Sequence, residues 1–198
     1  NPPGSRASDY AGGSLENGGD NIATNSQLYM NFNITSDIAK IIGEDNDASY
    51  YQQQAENLKQ SINRNLLVNG EKYKTSSGSG QTHPLGTAWA LRSGVVPEAF
   101  YDRVVTWLAK QKNNYDVGGY GGDALYNGLY TAGLGKIATQ DFARYDTMLS
   151  TNNTNWESFG ELSIDNMGNH AWTAYPSYIL PRYVGGIHPS SGGFQTVD

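Results

Sequence analysis

Between Asn155 and Trp172 the chain gathers the side chains that sugar chemistry uses: Trp156, Glu157 and Glu161, then His170 and Trp172. A saccharide ring offers C–H faces that lie flat on aromatic side chains, and hydroxyls that need fixed polar groups. Breaking a glycosidic bond adds a need for carboxyl groups that carry protons. Glu157 follows an indole able to exclude water on one side and stands in a polar loop, a setting in which a carboxylate serves as general base towards water. Glu161 competes with it, because on a helix spanning both positions the two carboxylates share a face and repel. His170 suits either a hydrogen bond to a sugar hydroxyl or a cap at a helix start. Trp156 and Trp172 suit either a stacking platform or a core, and a helical position favours the core for Trp172.

Other residues could join such a site. Tyr10 and Tyr120 stand in Gly-rich loops, where packing partners are few and ligand contact is favoured. The run Gly118-Gly119-Tyr120-Gly121-Gly122 follows no strand of a βαβ unit, so it is not a dinucleotide loop; its glycines let the chain pass close to a ligand or a neighbouring helix. His83, His170 and His188 form no HxH or HExxH spacing, and cysteine is absent, so no metal site and no cofactor are implied.

These residues need helices to position them. A 3.6-residue periodicity in Leu28, Phe32, Ile34, Ile38, Ile41 and Ile42 predicts a first helix over about 25–43, capped by Thr24 or Asn25 and stopped by Gly43. A second helix opens near Asp47, carries Tyr51, Ala55, Leu58, Ile62 and Leu66 on one stripe, and ends before a turn at Asn69-Gly70. A short strand through Lys72-Tyr73-Lys74 fits the loop that follows. Helices are then expected over His83 to Ser93, after Pro97, after the Gly118–Gly122 run, from Thr139-Gln140-Asp141, and from about His170 to Val184. Pro176 and Pro181 should kink or break the last of these. Helical hairpins in succession, with no strand-turn-strand pattern, indicate an all-α toroid or solenoid whose loops line one rim.

Composition narrows the partners. With 198 residues a single domain buries an adequate core unaided, and a net charge of −6 with Lys72, Lys74, Lys110 and Lys112 scattered argues against nucleic acid. No apolar run is long enough for a membrane span. The first residues, Asn1-Pro2-Pro3-Gly4-Ser5, lack the charged start and apolar core of a signal peptide, and the numbering is expected to begin inside a longer polypeptide. Two sequons, at Asn33 and Asn152, would accept glycans in a secreted eukaryotic protein and lean towards an extracellular location.

The order of motifs resembles a known family. Gln81-Thr82 stands before a short helix, Val117-Gly118-Gly119-Tyr120-Gly121 opens the next hairpin, Thr154-Asn155-Trp156-Glu157 follows, and Asn169-His170-Ala171 and Tyr183-Val184-Gly185-Gly186-Ile187 close the series. Over nearly its whole length the chain is similar to the C-terminal half of the catalytic domain of α-L-rhamnosidases of glycoside hydrolase family 78. The resemblance implies an (α/α)6 barrel of which residues 1–198 form the C-terminal half, as a fragment of a longer chain. It also implies removal of terminal α-L-rhamnose with inversion. Glu157 matches the family's general base, Trp156 the indole beside it, and His170 the histidine of the rhamnose pocket. Asp9, in Ser8-Asp9-Tyr10, stands where the family has Gly-Asp-Trp. The general acid belongs upstream of the half seen here, so the partners implied are a carbohydrate substrate and the remainder of the same domain.

Two other classes compete. Helical toroids also host other glycosidases and polysaccharide lyases, and a lyase would need basic residues to neutralise a uronate, which the rim loops hold sparsely. A non-catalytic helical module that binds glycans would use the aromatic loops without paired carboxylates.

Overall fold

A computed structural model describes residues 19–113, 115, 117–157, 159 and 168–198. Helix α1 (Ile22–Ile42) starts earlier than its periodicity predicts. The side chain of Asn21 accepts from the backbone N–H of Ala23 at 2.8 Å and of Thr24 at 3.2 Å, so the cap lies upstream of Thr24 and Asn25. The helix stops at Gly43, whose φ of 84° is the left-handed conformation expected of a terminal glycine. Helix α2 (Asp45–Leu66) then returns antiparallel against α1.

The packing face of α1 is not the one its large side chains mark. Ile22, Ala23, Ser26, Ser36 and Ala39 are buried, and Ser36 Oγ donates to the Ala48 carbonyl at 2.8 Å. Leu28, Ile34, Ile38, Ile41 and Ile42 are exposed instead. Small residues here and at Ala48 and Ala55 let the two helices approach closely, and the aliphatic stripe is left on another side of α1.

Strands β1 (Leu67–Val68) and β2 (Lys72–Tyr73) form a minimal antiparallel hairpin. Its turn, Asn69-Gly70, takes positive φ at both residues, which is the type I′ geometry matched to strand twist. Helix α3 (Pro84–Ser93) opens on His83, whose Nδ1 accepts the Leu85 N–H at 3.1 Å, and closes on Gly94. A 3₁₀ turn (Glu98–Phe100) leads into α4 (Tyr101–Lys110), which buries Val104 and Leu108 and leaves its other side to solvent. Helix α5 (Gly119–Thr131) follows the glycine run. Helix α6 (Gly135–Asp141) starts four residues before Thr139, because Gly133, at φ 74°, reverses the chain at once. A 3₁₀ segment (Phe142–Tyr145) then joins it to α7 (Asp146–Thr151). The last helical stretch is broken, as its prolines predict: a 3₁₀ turn (Ala171–Thr173), α8 (Pro176–Ile179) with Pro176 in its first turn, and a π-helical turn (Leu180–Val184) containing Pro181.

Helices α1, α3 and α5 and the 171–184 stretch lie side by side in chain order, with α2, α4 and α6 behind the first three. This is a two-layered arc of helical hairpins, part of an (α/α) barrel. The front layer is the most deeply packed: α3 is buried from Pro84 through Leu91, and α5 over most of Gly119 to Leu129. Gly128 lies so close to the Ala88 backbone that a β-carbon there would overlap it, which is how α3 and α5 come together. Leu85, Leu91, Leu125, Leu129 and Ile179, nearly inaccessible to solvent, each contribute roughly 1.5–3 kcal/mol by leaving water.

Candidate active site

The Glu157 segment is tied to the His170 segment carbonyl by carbonyl. The Asn155 carbonyl accepts from the His170 N–H at 2.6 Å, the Trp156 carbonyl from Thr173 Oγ1 at 2.6 Å, and the Glu157 carbonyl from Trp172 Nε1 at 3.0 Å. Thr173 is in turn held through its own carbonyl by the Tyr145 hydroxyl at 2.7 Å. Gly119 of α5 presses against both the Glu157 carbonyl and the Thr173 methyl, leaving no room for a β-carbon. The backbone of Glu157 is thus fixed between α5 and the turn after His170, while its side chain is half-buried.

Next to it stands an aromatic wall. The His170 and Trp172 rings stack with centroids 3.8 Å apart and an interplanar angle of 22°, and Tyr120 meets Trp172 at 5.4 Å. His170 also caps its turn, its Nδ1 facing the Trp172 N–H at 3.5 Å, so the cap and sugar-site readings are compatible. Tyr120 and Trp172 border a concave cavity of about 570 Å³, within the range of small-molecule sites of roughly 300–1,000 Å³. The front layer supplies its other walls, including Ile34 from the exposed face of α1, Trp89 and Arg92 from α3, Asp123 from α5 and Tyr178 from α8.

Trp156 is corrected by its burial. At 2 % exposure it belongs to the core, its Nε1 donating to Asn152 Oδ1 at 2.8 Å, and its indole is not on the cavity wall. Trp172 corrects the opposite preference, being half-buried on the cavity wall rather than in the core. His83 caps α3, and His188 pairs with Asp198 through backbone hydrogen bonds in the C-terminal segment, away from His170 in the chain and in its contacts. Asp9, Tyr10 and Glu161 lie outside the described residues. Among the described residues no group of three or more His, Asp or Glu side chains gathers to hold a metal.

Sequence reasoning missed a polar network on the cavity wall. Arg92 Nη1 donates to Asp123 Oδ2 at 2.6 Å, and the Tyr178 hydroxyl donates to Asp123 Oδ1. Asn127 Nδ2 donates to the Tyr178 oxygen at 2.6 Å, and the Tyr183 hydroxyl to Asn127 Oδ1 at 3.1 Å. Nothing local announces these pairings: an Arg in the last turn of α3 is accounted for by the helix dipole alone, and Asp123 in the second turn of α5 reads as an ordinary solvated carboxylate. Burial, together with donation to Asp123, pushes the Tyr178 phenol up to about 12. Behind the wall, burial likewise raises Tyr126, Tyr145 and Tyr175 well above the ordinary phenol range.

The two sequons differ in setting. Asn33 lies within α1, where its Nδ2 donates to the Tyr29 carbonyl at 2.9 Å. Asn152 is exposed just after α7, its Oδ1 accepting from Thr154 Oγ1 as well as from Trp156.

Comparison with known proteins agrees with this geometry. A family model described as the bacterial alpha-L-rhamnosidase 6 hairpin glycosidase domain matches residues 5–184. No curated protein matches the chain. Among solved structures, the GH78 family rhamnosidase of Bacillus sp. GL1 superposes with a TM-score of 0.78 at 23% identity, over 96% of this chain and 22% of that one. The Streptomyces avermitilis alpha-L-rhamnosidase, solved with L-rhamnose, gives 0.72 at 17% identity, over 93% and 20%. The Aspergillus terreus enzyme gives 0.69 at 17% identity, over 87% and 21%. The chain therefore spans about a fifth of the length of each of these proteins.

Proposed function

The chain belongs to the bacterial alpha-L-rhamnosidase six-hairpin glycosidase domain family, and from that premise we propose that it supplies one wall of the active site of an inverting glycosidase that removes terminal α-L-rhamnose. The observation that carries this reading is the fixed Glu157 backbone beside the Tyr120–Trp172–His170 wall. Glu157 is the general base. Its carboxylate takes a proton from water as the water oxygen attacks the anomeric carbon from the face opposite the leaving group. The glycosidic oxygen leaves with a proton from a general acid outside this chain, roughly 6.5–9.5 Å from the base, a spacing that leaves room for the water. Tyr120 and Trp172 offer flat faces to the sugar, and His170, whose Nδ1 faces a backbone N–H, keeps Nε2 as the donor for a hydroxyl.

Replacing Glu157 by Gln in the full-length protein tests the assignment. The shape is retained and the base is lost, so turnover of an aryl α-L-rhamnoside should fall by about 10² or more, within the range general-base catalysis contributes. Near-normal turnover would remove Glu157 from the role. A non-catalytic glycan-binding module would instead bind the sugar without hydrolysing the glycoside in the parent protein. As a secreted protein, the chain would carry its glycan at Asn152, which is exposed at a helix end, in preference to Asn33 within α1.

A further inference from the structure

We infer that Asp123 is the positioning residue that sets the aromatic wall of the cavity; the inference rests on the functional reading above. Asp123 takes hydrogen bonds from three elements of the front layer: Arg92 of α3, Asn127 of its own helix at 3.2 Å, and Tyr178 of α8. Tyr120 stands one turn before Asp123 on α5, and Trp172 stands in the 3₁₀ turn that leads to α8. Tyr120 therefore lies on one element that these hydrogen bonds join and Trp172 in the turn directly before another, and the two rings meet at 5.4 Å. Gly119 and Gly122 lie so close to Thr173 and Tyr175 that a β-carbon at either would overlap them, which brings α5 against the 171–178 segment. The hydrogen bonds at Asp123 are directional and add to this packing a fixed register of α5 against α3 and α8. Arg92 also lies over the Trp89 ring, with its guanidinium carbon 4.9 Å from the centroid, so the donor to Asp123 is itself anchored to α3.

Stacking on a sugar face acts alike in the ground and transition states, so loosening the wall weakens binding more than turnover. In the full-length protein, Asp123→Asn should raise KM for an aryl α-L-rhamnoside by about tenfold with kcat within about twofold, the signature of lost uniform binding. Tyr178→Phe, which removes the link to α8 and keeps the ring, should move KM in the same direction. Asn63→Ala, which breaks hydrogen bonds with the Val95 carbonyl and the Tyr73 hydroxyl at the C-terminal end of α2, outside the cavity lining, should lower thermal stability and leave KM in place. The emission of Trp172, isolated as the difference between the parent protein and its Trp172→Phe form, should shift to the red in Asp123→Asn as the indole gains solvent. An unchanged KM in an active parent, a KM shift equal to that of Asn63→Ala, or an unmoved Trp172 emission overturns the inference. A parent protein that fails to hydrolyse the glycoside overturns the functional reading instead, and the emission shift still decides the role of Asp123.

Discussion

The indole N–H of Trp172 donates to the backbone carbonyl of Glu157 at 3.0 Å, so one side chain both walls the cavity and holds the main chain of the proposed base. Trp172→Phe keeps an aromatic face and deletes that donor. Displacing a catalytic group by even an ångström costs up to about 10² in rate, so kcat should fall by about tenfold with a smaller change in KM. Trp172→Ala should lose in both. Steady-state kinetics on the two variants separates the anchoring role from the stacking role.

Gly119 and Gly128 are both too crowded for a β-carbon, but against different neighbours. Gly119→Ala would push the Glu157 carbonyl and the Thr173 methyl, and should cut kcat by about 10²-fold through displacement of Glu157. Gly128→Ala would push the Ala88 backbone at the α3–α5 crossing, and should cost roughly 1–3 kcal/mol of stability, the usual penalty of overpacking. Paired activity and thermal-unfolding measurements should show opposite emphasis in the two variants.

Asn152 Oδ1 accepts from Trp156 Nε1 at 2.8 Å, at the edge of the core. Asn152→Ala leaves the indole N–H without its acceptor and should destabilise by about 1–3 kcal/mol. Asn152→Asp keeps the acceptor and should recover most of this, although it removes the sequon just as the alanine does. Denaturant titration of protein made without glycosylation reads the hydrogen bond alone.

Alkaline stability follows from the tyrosines. Tyr126, Tyr145, Tyr175 and Tyr178 have folded-state values above that of an unfolded phenol, ordinarily near 10, chiefly because burial disfavours the phenolate. A raised folded value means that the neutral form is favoured in the fold. Its stabilisation is complete below about pH 10 and is lost as pH climbs through the folded values, starting with Tyr178 at about 12. The Tm should hold steady across neutral pH and fall above pH 10, and the phenolate absorbance lost on replacing Tyr126 or Tyr175 by Phe should appear together with unfolding rather than before it.

Much of the architecture was readable from local rules. Gly43 and Gly94 ended helices because a left-handed residue there costs glycine least, Asn69-Gly70 turned a hairpin, and Pro176 and Pro181 broke the last helix. Boundaries drifted where two acceptors competed, as with Asn21 against Thr24 and Asn25. The buried side of α1 was not legible from its large side chains, because it carries Ser26, Ser36 and Ala39, with Ser36 meeting α2 at the Ala48 carbonyl. Large aliphatic residues in a front-layer helix have a second destination, the cavity side, which Ile34 takes.

By itself the sequence determined the helical hairpins, the family's motif order, and Glu157 as the carboxylate of interest, since each is written in spacing and residue type over a few consecutive turns. The tertiary structure alone decided which indole walls the cavity and which fills the core. Trp156 and Trp172 have the same chemistry, and only the packing of α7 and α8 separates a core indole bonded to Asn152 from a wall indole bonded to the Glu157 carbonyl. It alone also brought Arg92, Asp123 and Tyr178 together, because hydrogen bonds between helices depend on register in space, and residues 31 and 55 positions apart carry no local sign of it.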